Sequence, residues 1–280
     1  MLRIRTVAVA AIVAAACFAL ATTGAAQVNQ TQHSDGWILA AAHAPGYHGS
    51  IWRTDLWVVF NYVGDSTYFD MYFNKAGQDN TFAAKHQLAL TAGKKVYHIE
   101  DVVDHFLDLG DGSWSGAIHY VTNAKVQVWA RVYSISADGR ASYGQLVEGI
   151  PTADASPDSD PWDADAQQWV YAIQHTADGR FRVNFGIVNP TGLTVQYRVR
   201  IFDSTGSNLD ESIDVEVPPY SMIQLNDPLA ALNGGEWDEI EVRSRALTED
   251  GRGFLWASVV DNATNDAFFI RGVKRMTPSE

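Results

Sequence analysis

From Trp37 onward the chain reads as short runs of β-branched and aromatic residues, several of them alternating with polar ones. The clearest run is 194–202. Val195, Tyr197, Val199 and Ile201 fall on one face and Gln196, Arg198 and Arg200 on the other. That period of two predicts a half-buried antiparallel strand. Runs of the same kind occupy 51–62, 68–74, 94–99, 117–121 and 125–135, and then 180–188, 212–217, 221–225, 239–243 and 253–260. Turn signals separate them: Asn74-Lys-Ala-Gly77, Ala137-Asp-Gly139, Asn189-Pro-Thr-Gly192 and Asp203-Ser-Thr-Gly206.

The runs repeat once. Trp37-Ile-Leu-Ala-Ala-Ala-His43 is echoed by Trp169-Val-Tyr-Ala-Ile-Gln-His175, and Trp52-Arg53-Thr-Asp55-Leu by Phe181-Arg182-Val-Asn184-Phe. Phe73 to Gly77 matches Phe202 to Gly206, Asp101 matches Asp227, and Trp129-Ala-Arg matches Trp256-Ala-Ser. The offsets between copies run from 126 to 132 residues, which is the size of a domain and too long for a solenoid repeat. Many short strands with such turns predict an all-β chain of two tandem immunoglobulin-like antiparallel sandwiches. Each copy carries one short helix, after Asp101 and after Asp227-Pro228, with both aspartates read as N-caps. The expected organisation is a first sandwich over 27–150, an acidic Pro/Asp linker over 151–168, a second sandwich over 169–275 and a tail at 276–280.

The amino terminus reads as an export signal. Arg3 and Arg5 precede an apolar stretch from Val7 to Leu20, and Gly24-Ala25-Ala26 supplies small residues for cleavage before Gln27. The stretch is shorter than the ~20 residues a spanning helix needs. Lipidation of Cys17 is the rival reading. Cleavage near Ala26 implies a secreted, periplasmic or cell-surface protein. It removes the single cysteine, so the cores alone must hold the fold.

Charge narrows the partners. The chain has 20 basic and 33 acidic residues, a net charge of −13, and the cleaved form is more acidic still. That argues against nucleic acid, which asks for a basic face, and against docking to an anionic membrane. Acid–base chemistry has one candidate pair, Arg53 with Asp55, two apart on one strand face. Its echo is Arg182 with Asn184, so no acid–base role is common to both copies. The plainer reading is a polar pair bridging neighbouring strands, and for His43 and His175 a structural bond to a loop backbone. No nucleophile elbow, zinc motif or phosphate loop is present; Gly112-Ser-Trp-Ser-Gly116 has the wrong register. Asp158, Asp160, Asp163 and Asp165 in the linker are candidate calcium ligands, without the glycine and closing glutamate of an EF-hand. No other cofactor is expected. Nine tryptophans are many for this length. Trp129 and Trp256 read as core residues on central strands, whereas Trp52, Trp57, Trp114, Trp162 and Trp237 are not all matched by tryptophan in the other copy, and Trp52, Trp57 and Trp114 are candidates to stack on sugar rings.

The motifs Trp52-Arg-Thr-Asp-Leu, His43-Ala-Pro-Gly and Tyr143-Gly-Gln145, with Phe-Arg-x-Asn and Ala257-Ser-Val-Val-Asp-Asn262 in the second copy, resemble those of a group of secreted bacterial proteins with tandem immunoglobulin-like sandwiches. The resemblance covers nearly the whole chain after the leader. It implies secretion and a doubled sandwich, and it supplies no activity and no ligand residues. The chain departs from it by one added residue in the run to Asn61 and by the long acidic linker. The expected function is a secreted, non-catalytic protein with a structural, adhesive or ligand-binding role towards an extracellular polymer, a glycan in particular, or a cell-surface protein. The alternative is an extracellular hydrolase acting on a polysaccharide or other polymer.

Overall fold

The computed structural model describes residues 33–46, 49–106, 112–140, 142–157, 167–176, 178–209, 212–231 and 237–274, all within one compact unit, Gln32–Glu280. Several sequence expectations lie outside the described residues: the leader 1–26 with Cys17, the calcium candidates Asp158, Asp160, Asp163 and Asp165, and the tail at 276–280.

The chain is all-β and its sheets are antiparallel. The strands of the first half are β1 (His33–Pro45), β2 (Ile51–Phe60), β3 (Phe69–Lys75), β4 (Lys85–Gln87), β5 (Val96–Ile99), β6 (Trp114–Ile135) and β7 (Ser142–Glu148). Two short strands, β8 (Ile150–Pro151) and β9 (Ser156–Pro157), lead into the second half. That half consists of β10 (Gln168–His175), β11 (Phe181–Asn189), β12 (Val195–Phe202), β13 (Ile213–Val217), β14 (Ser221–Leu225), β15 (Trp237–Ala246), β16 (Arg252–Asp261) and β17 (Ala267–Arg271).

The two halves share one strand order. In the second, one sheet runs β10-β15-β12-β13 and the other β14-β11-β16-β17. In the first, β6 takes the place of both β15 and β16. Its early part pairs with β1 and β3, and its later part, from Val126, with β2 and β7. The sheet therefore folds over itself and encloses a core that includes Ile38, Leu56, Val58, Phe69, Met71, Ile118, Tyr120 and Val128. The second core is built alike from Val170, Phe185, Tyr197, Val199, Val242 and Leu255. The strand expected over 194–202 forms with its face as read: Val195, Tyr197, Val199 and Ile201 are buried. The two strands expected at 117–121 and 125–135 are one continuous strand of 22 residues, because the β-branched run through Val121-Thr122 continues the ladder. One repeat anchor slips by a residue. Phe73 pairs with Ile118 as Ile201 pairs with Val242, so the structural counterpart of Phe73 is Ile201, not Phe202.

A third core joins the halves. Trp37, Leu39 and Ala117 from the outer face of the first half meet Val188, Met222, Phe254 and Trp256 from the second. The sequence predicts a surface linker between the halves, yet its first part is embedded here. Ala155 and Ser156 are buried, β8 pairs with β1, and β9 with β16. The shared core also changes the reading of the tryptophans. Trp256 is buried between the halves and not inside a sandwich, and its counterpart Trp129 is only half-buried, on the open outer face. Among the described residues no helix is long and apolar enough to cross a membrane.

Candidate functional site

The outer face of β2 carries Arg53, Asp55 and Trp57, since Thr54, Leu56 and Val58 point into the core. Around Asp55 a polar network forms. Its Oδ1 accepts the backbone N–H of Asp101 at 3.0 Å and the Tyr133 hydroxyl at 3.2 Å, and His98 Nε2 lies 3.6 Å from Oδ2. Burial, with the charge of Asp55 next, pushes the Tyr133 phenol above its ordinary pKa, so Tyr133 stays a donor to the carboxylate.

Asp101 does not cap a helix. Its φ is +40° and that of Asp227 is +44°, a left-handed conformation outside the extended region of an N-cap. The strand beside them supplies an acceptor. Asp55 takes the Asp101 N–H, and Asn184 takes the Asp227 N–H at 3.3 Å. The Asp-to-Asn change between copies thus keeps the shared role, an oxygen that accepts a backbone proton. A single helical turn comes after each aspartate, Val102–Phe106 in one half and Pro228–Ala231 in the other. The freed Asp101 carboxylate meets His43 Nδ1 at 2.8 Å and Arg53 Nε at 3.5 Å. The expected backbone partner of His43 is therefore replaced by a side chain. His43, Asp101 and Asp104 bring one donor atom each within 4.8 Å of one another. Arg53 already supplies a cation beside Asp101, and Asp101 Oδ1 is buried with no hydrogen-bond partner among the described residues.

The three candidate tryptophans do not form a platform. Trp57 stacks on His98 with centroids 4.3 Å apart and lies parallel to Trp129 at 6.4 Å, so these rings cover one another's faces. Trp114 has Lys75 Nζ 3.7 Å above its ring, and a Cβ on Gly112 would sit 2.4 Å from the indole. Trp52 alone of the three lines a large cleft.

That cleft, of about 830 Å³, lies between the halves. Trp52, Pro45 and Gly46 form one wall; Gly46 must lack a side chain, because a Cβ there would stand 2.8 Å from the indole. The opposite wall is polar: Arg182, Asn184, Gln224, Asn226, Asp227 and Asn262. These groups position one another. Arg182 donates to Asn262 and, at 3.4 Å, to Asn265; Gln224 donates to Asn226 at 2.7 Å; Asp227 Oδ1 accepts from the Val183 N–H at 3.2 Å. Such a lining, carboxamides with one guanidinium, one carboxylate and one indole, suits a neutral ligand rich in hydroxyls. The sequence singles out Trp52, and Arg182 with Asn184 and Asp227 as repeat echoes, but does not bring them together, and it misses Gln224 and Asn226. The repeated Asp227, with Asn226 before it, and the closing Asp261-Asn262 are the signals that could have found them.

No family model matches the chain, and no curated protein matches it. Among solved structures the chain is similar to an anti-sigma factor domain-containing protein at 12% identity, over 84% of this chain and 80% of that one; the TM-score of 0.12 is too low to carry an argument.

Proposed function

We propose that the protein is an exported, non-catalytic binding protein that holds a saccharide in the cleft between its halves. One observation carries the reading: a cleft of about 830 Å³ with Trp52 on one wall and Arg182, Asn184, Gln224, Asn226, Asp227 and Asn262 on the other. Saccharides present hydroxyls that donate and accept, which carboxamides match pairwise, and apolar ring faces that an indole covers. The leader motif Gly24-Ala25-Ala26 supports export, and a glycan or glycosylated cell-surface protein is the partner such a location offers.

A glycan array followed by titration calorimetry tests the reading. Trp52→Ala and Asn226→Ala should each weaken the best hit by about tenfold or more; Asn226→Ala should leave the melting temperature near wild type, and circular dichroism should show Trp52→Ala folded, since that ring also packs on the first core. No hit on the array, or full affinity in both variants, would remove the proposal. The hydrolase reading draws on a different feature, the buried Asp101 carboxylate with its unpartnered oxygen beside His43. Polymer turnover in a chromogenic panel that vanishes in Asp101→Asn would put that reading in its place.

A further inference from the structure

On the sheet that faces away from the cleft, strands β12 and β15 pair so that Arg198 is directly opposite Arg245, and Arg200 opposite Arg243. Like charges directly opposite across a sheet are destabilising. Here two such pairs stand side by side, in a chain whose net charge is −13. The Arg200 charge adds to that repulsion without an ion pair of its own among the described residues.

The guanidiniums are also held in place. Arg243 is clasped between the rings of Trp169 and Phe202, each 3.9 Å away. Arg198 is bound by both oxygens of Asp214 at 2.7 Å. Burial, then the neighbouring Arg198 and Arg200, lower the pKa of Arg245 from its ordinary value. Among the described residues Asp214 forms an ion pair with Arg198 and Glu241 one with Arg243, and Arg245 has a partner as well; Glu216 and Glu239 lie on the same faces of β13 and β15. Arg200 is exposed and forms no ion pair among the described residues. A shallow cavity of about 260 Å³ opens over Arg198, Arg200, Arg243 and Arg245.

We propose that this face is a second binding site, for the carboxylate or sulfate groups of an acidic polysaccharide. Neighbouring strands lie ~5 Å apart and same-face residues on one strand ~7 Å apart, so the arginines form a grid on the scale of successive charged sugar units. Planar guanidiniums pair with such oxyanions through two parallel hydrogen bonds. The acidic remainder of the chain disfavours nucleic acid, whose duplex carries a charge every ~1.7 Å and calls for a broad basic field. This site does not depend on the cleft, which lies on the other sheet of the second half.

The test titrates the full chain with polygalacturonate oligomers for carboxylate and with dextran sulfate for sulfate. Neutral dextran, a single-stranded oligonucleotide and anionic phosphatidylglycerol vesicles serve as controls. The expected result is binding to one or both acidic glycans that weakens as salt rises, with none to neutral dextran. Arg200→Gln should weaken it by about fivefold and the Arg200→Gln/Arg245→Gln double variant by about twentyfold or more. Arg200→Lys should fall between wild type and Arg200→Gln, because charge stays and the fork is lost. The melting temperature of Arg200→Gln should match or exceed wild type as repulsion is relieved, circular dichroism should show the double variant folded, and Trp52→Ala should bind the acidic glycan normally. The proposal is overturned if neither acidic glycan binds, if the folded double variant binds like wild type, or if the oligonucleotide or vesicles bind as tightly.

Discussion

Trp129 and Trp256 hold equivalent places in the two halves, and replacing each by alanine should have very unequal effects. Trp129 is opposite Trp57 across the ladder, and Trp256 is opposite Gly186. Trp256 is 2% exposed, wedged among Trp37, Phe254 and Met222 and stacked on Phe269 at 5.4 Å. A tryptophan buries roughly 200 Å². At about 25 cal/mol per Å² its loss removes ~5 kcal/mol as an upper estimate. Large-to-alanine changes at buried aromatic sites cost about 3–5 kcal/mol, so we expect about 4 for Trp256→Ala. Trp129 is half-buried and borders solvent, so its deletion leaves no closed cavity. It loses part of its buried area and the contact with Trp57, about 1–2 kcal/mol together. Urea denaturation followed by far-ultraviolet circular dichroism measures both without relying on indole fluorescence. The same pair of sites allows a cycle. A Cβ on Gly186 would lie 1.9 Å from the Trp256 ring, so Gly186→Ala should cost about 1–3 kcal/mol in wild type and much less once Trp256 is alanine. Equal losses for Trp129→Ala and Trp256→Ala, or a Gly186→Ala cost unchanged by the second substitution, would refute the assignment of Trp256 to a packed junction.

Two more outcomes are expected. Asp55→Asn should be tolerated to within about 1 kcal/mol, since Asn184 does the same task in the other half, whereas Asp55→Ala should cost about 1–3 kcal/mol by stranding the Asp101 N–H; chemical denaturation compares them. The hydrogen bond from His119 at 3.0 Å, joined by that from Thr152 and opposed by burial, holds the Asp35 carboxyl below its ordinary 3.8. Its stabilising contribution is complete above about pH 4 and is lost as pH falls through the lowered value, so Asp35→Asn should flatten the acid limb of stability measured from pH 6 to 2. An unchanged acid limb would count against that bond.

Alternation and repetition were legible in the sequence because they are local. Val195, Tyr197, Val199 and Ile201 face inward wherever the strand is placed, and the ordered matches of Trp37 with Trp169 and Arg53 with Arg182 survive loop insertions. The period of two also puts Arg53, Asp55 and Trp57 on one face, as observed. What covers that face is a different question, and no residue within the strand answers it. Trp256 and Trp129 have the same local pattern, yet one is sealed by Trp37 and Leu39 of the other half and the other borders solvent. The cleft arises the same way, since Trp52 and Asn262 meet only after the two halves pack. Asp101 and Asp227 show the limit at a single residue. Their sequence fits a helix cap, but in the fold their backbone is left-handed and its N–H is accepted by a strand oxygen, from Asp55 or Asn184. Periodicity determines which side of a strand is apolar; only tertiary packing decides which apolar and polar sides find each other, because those contacts join residues that are remote in the chain.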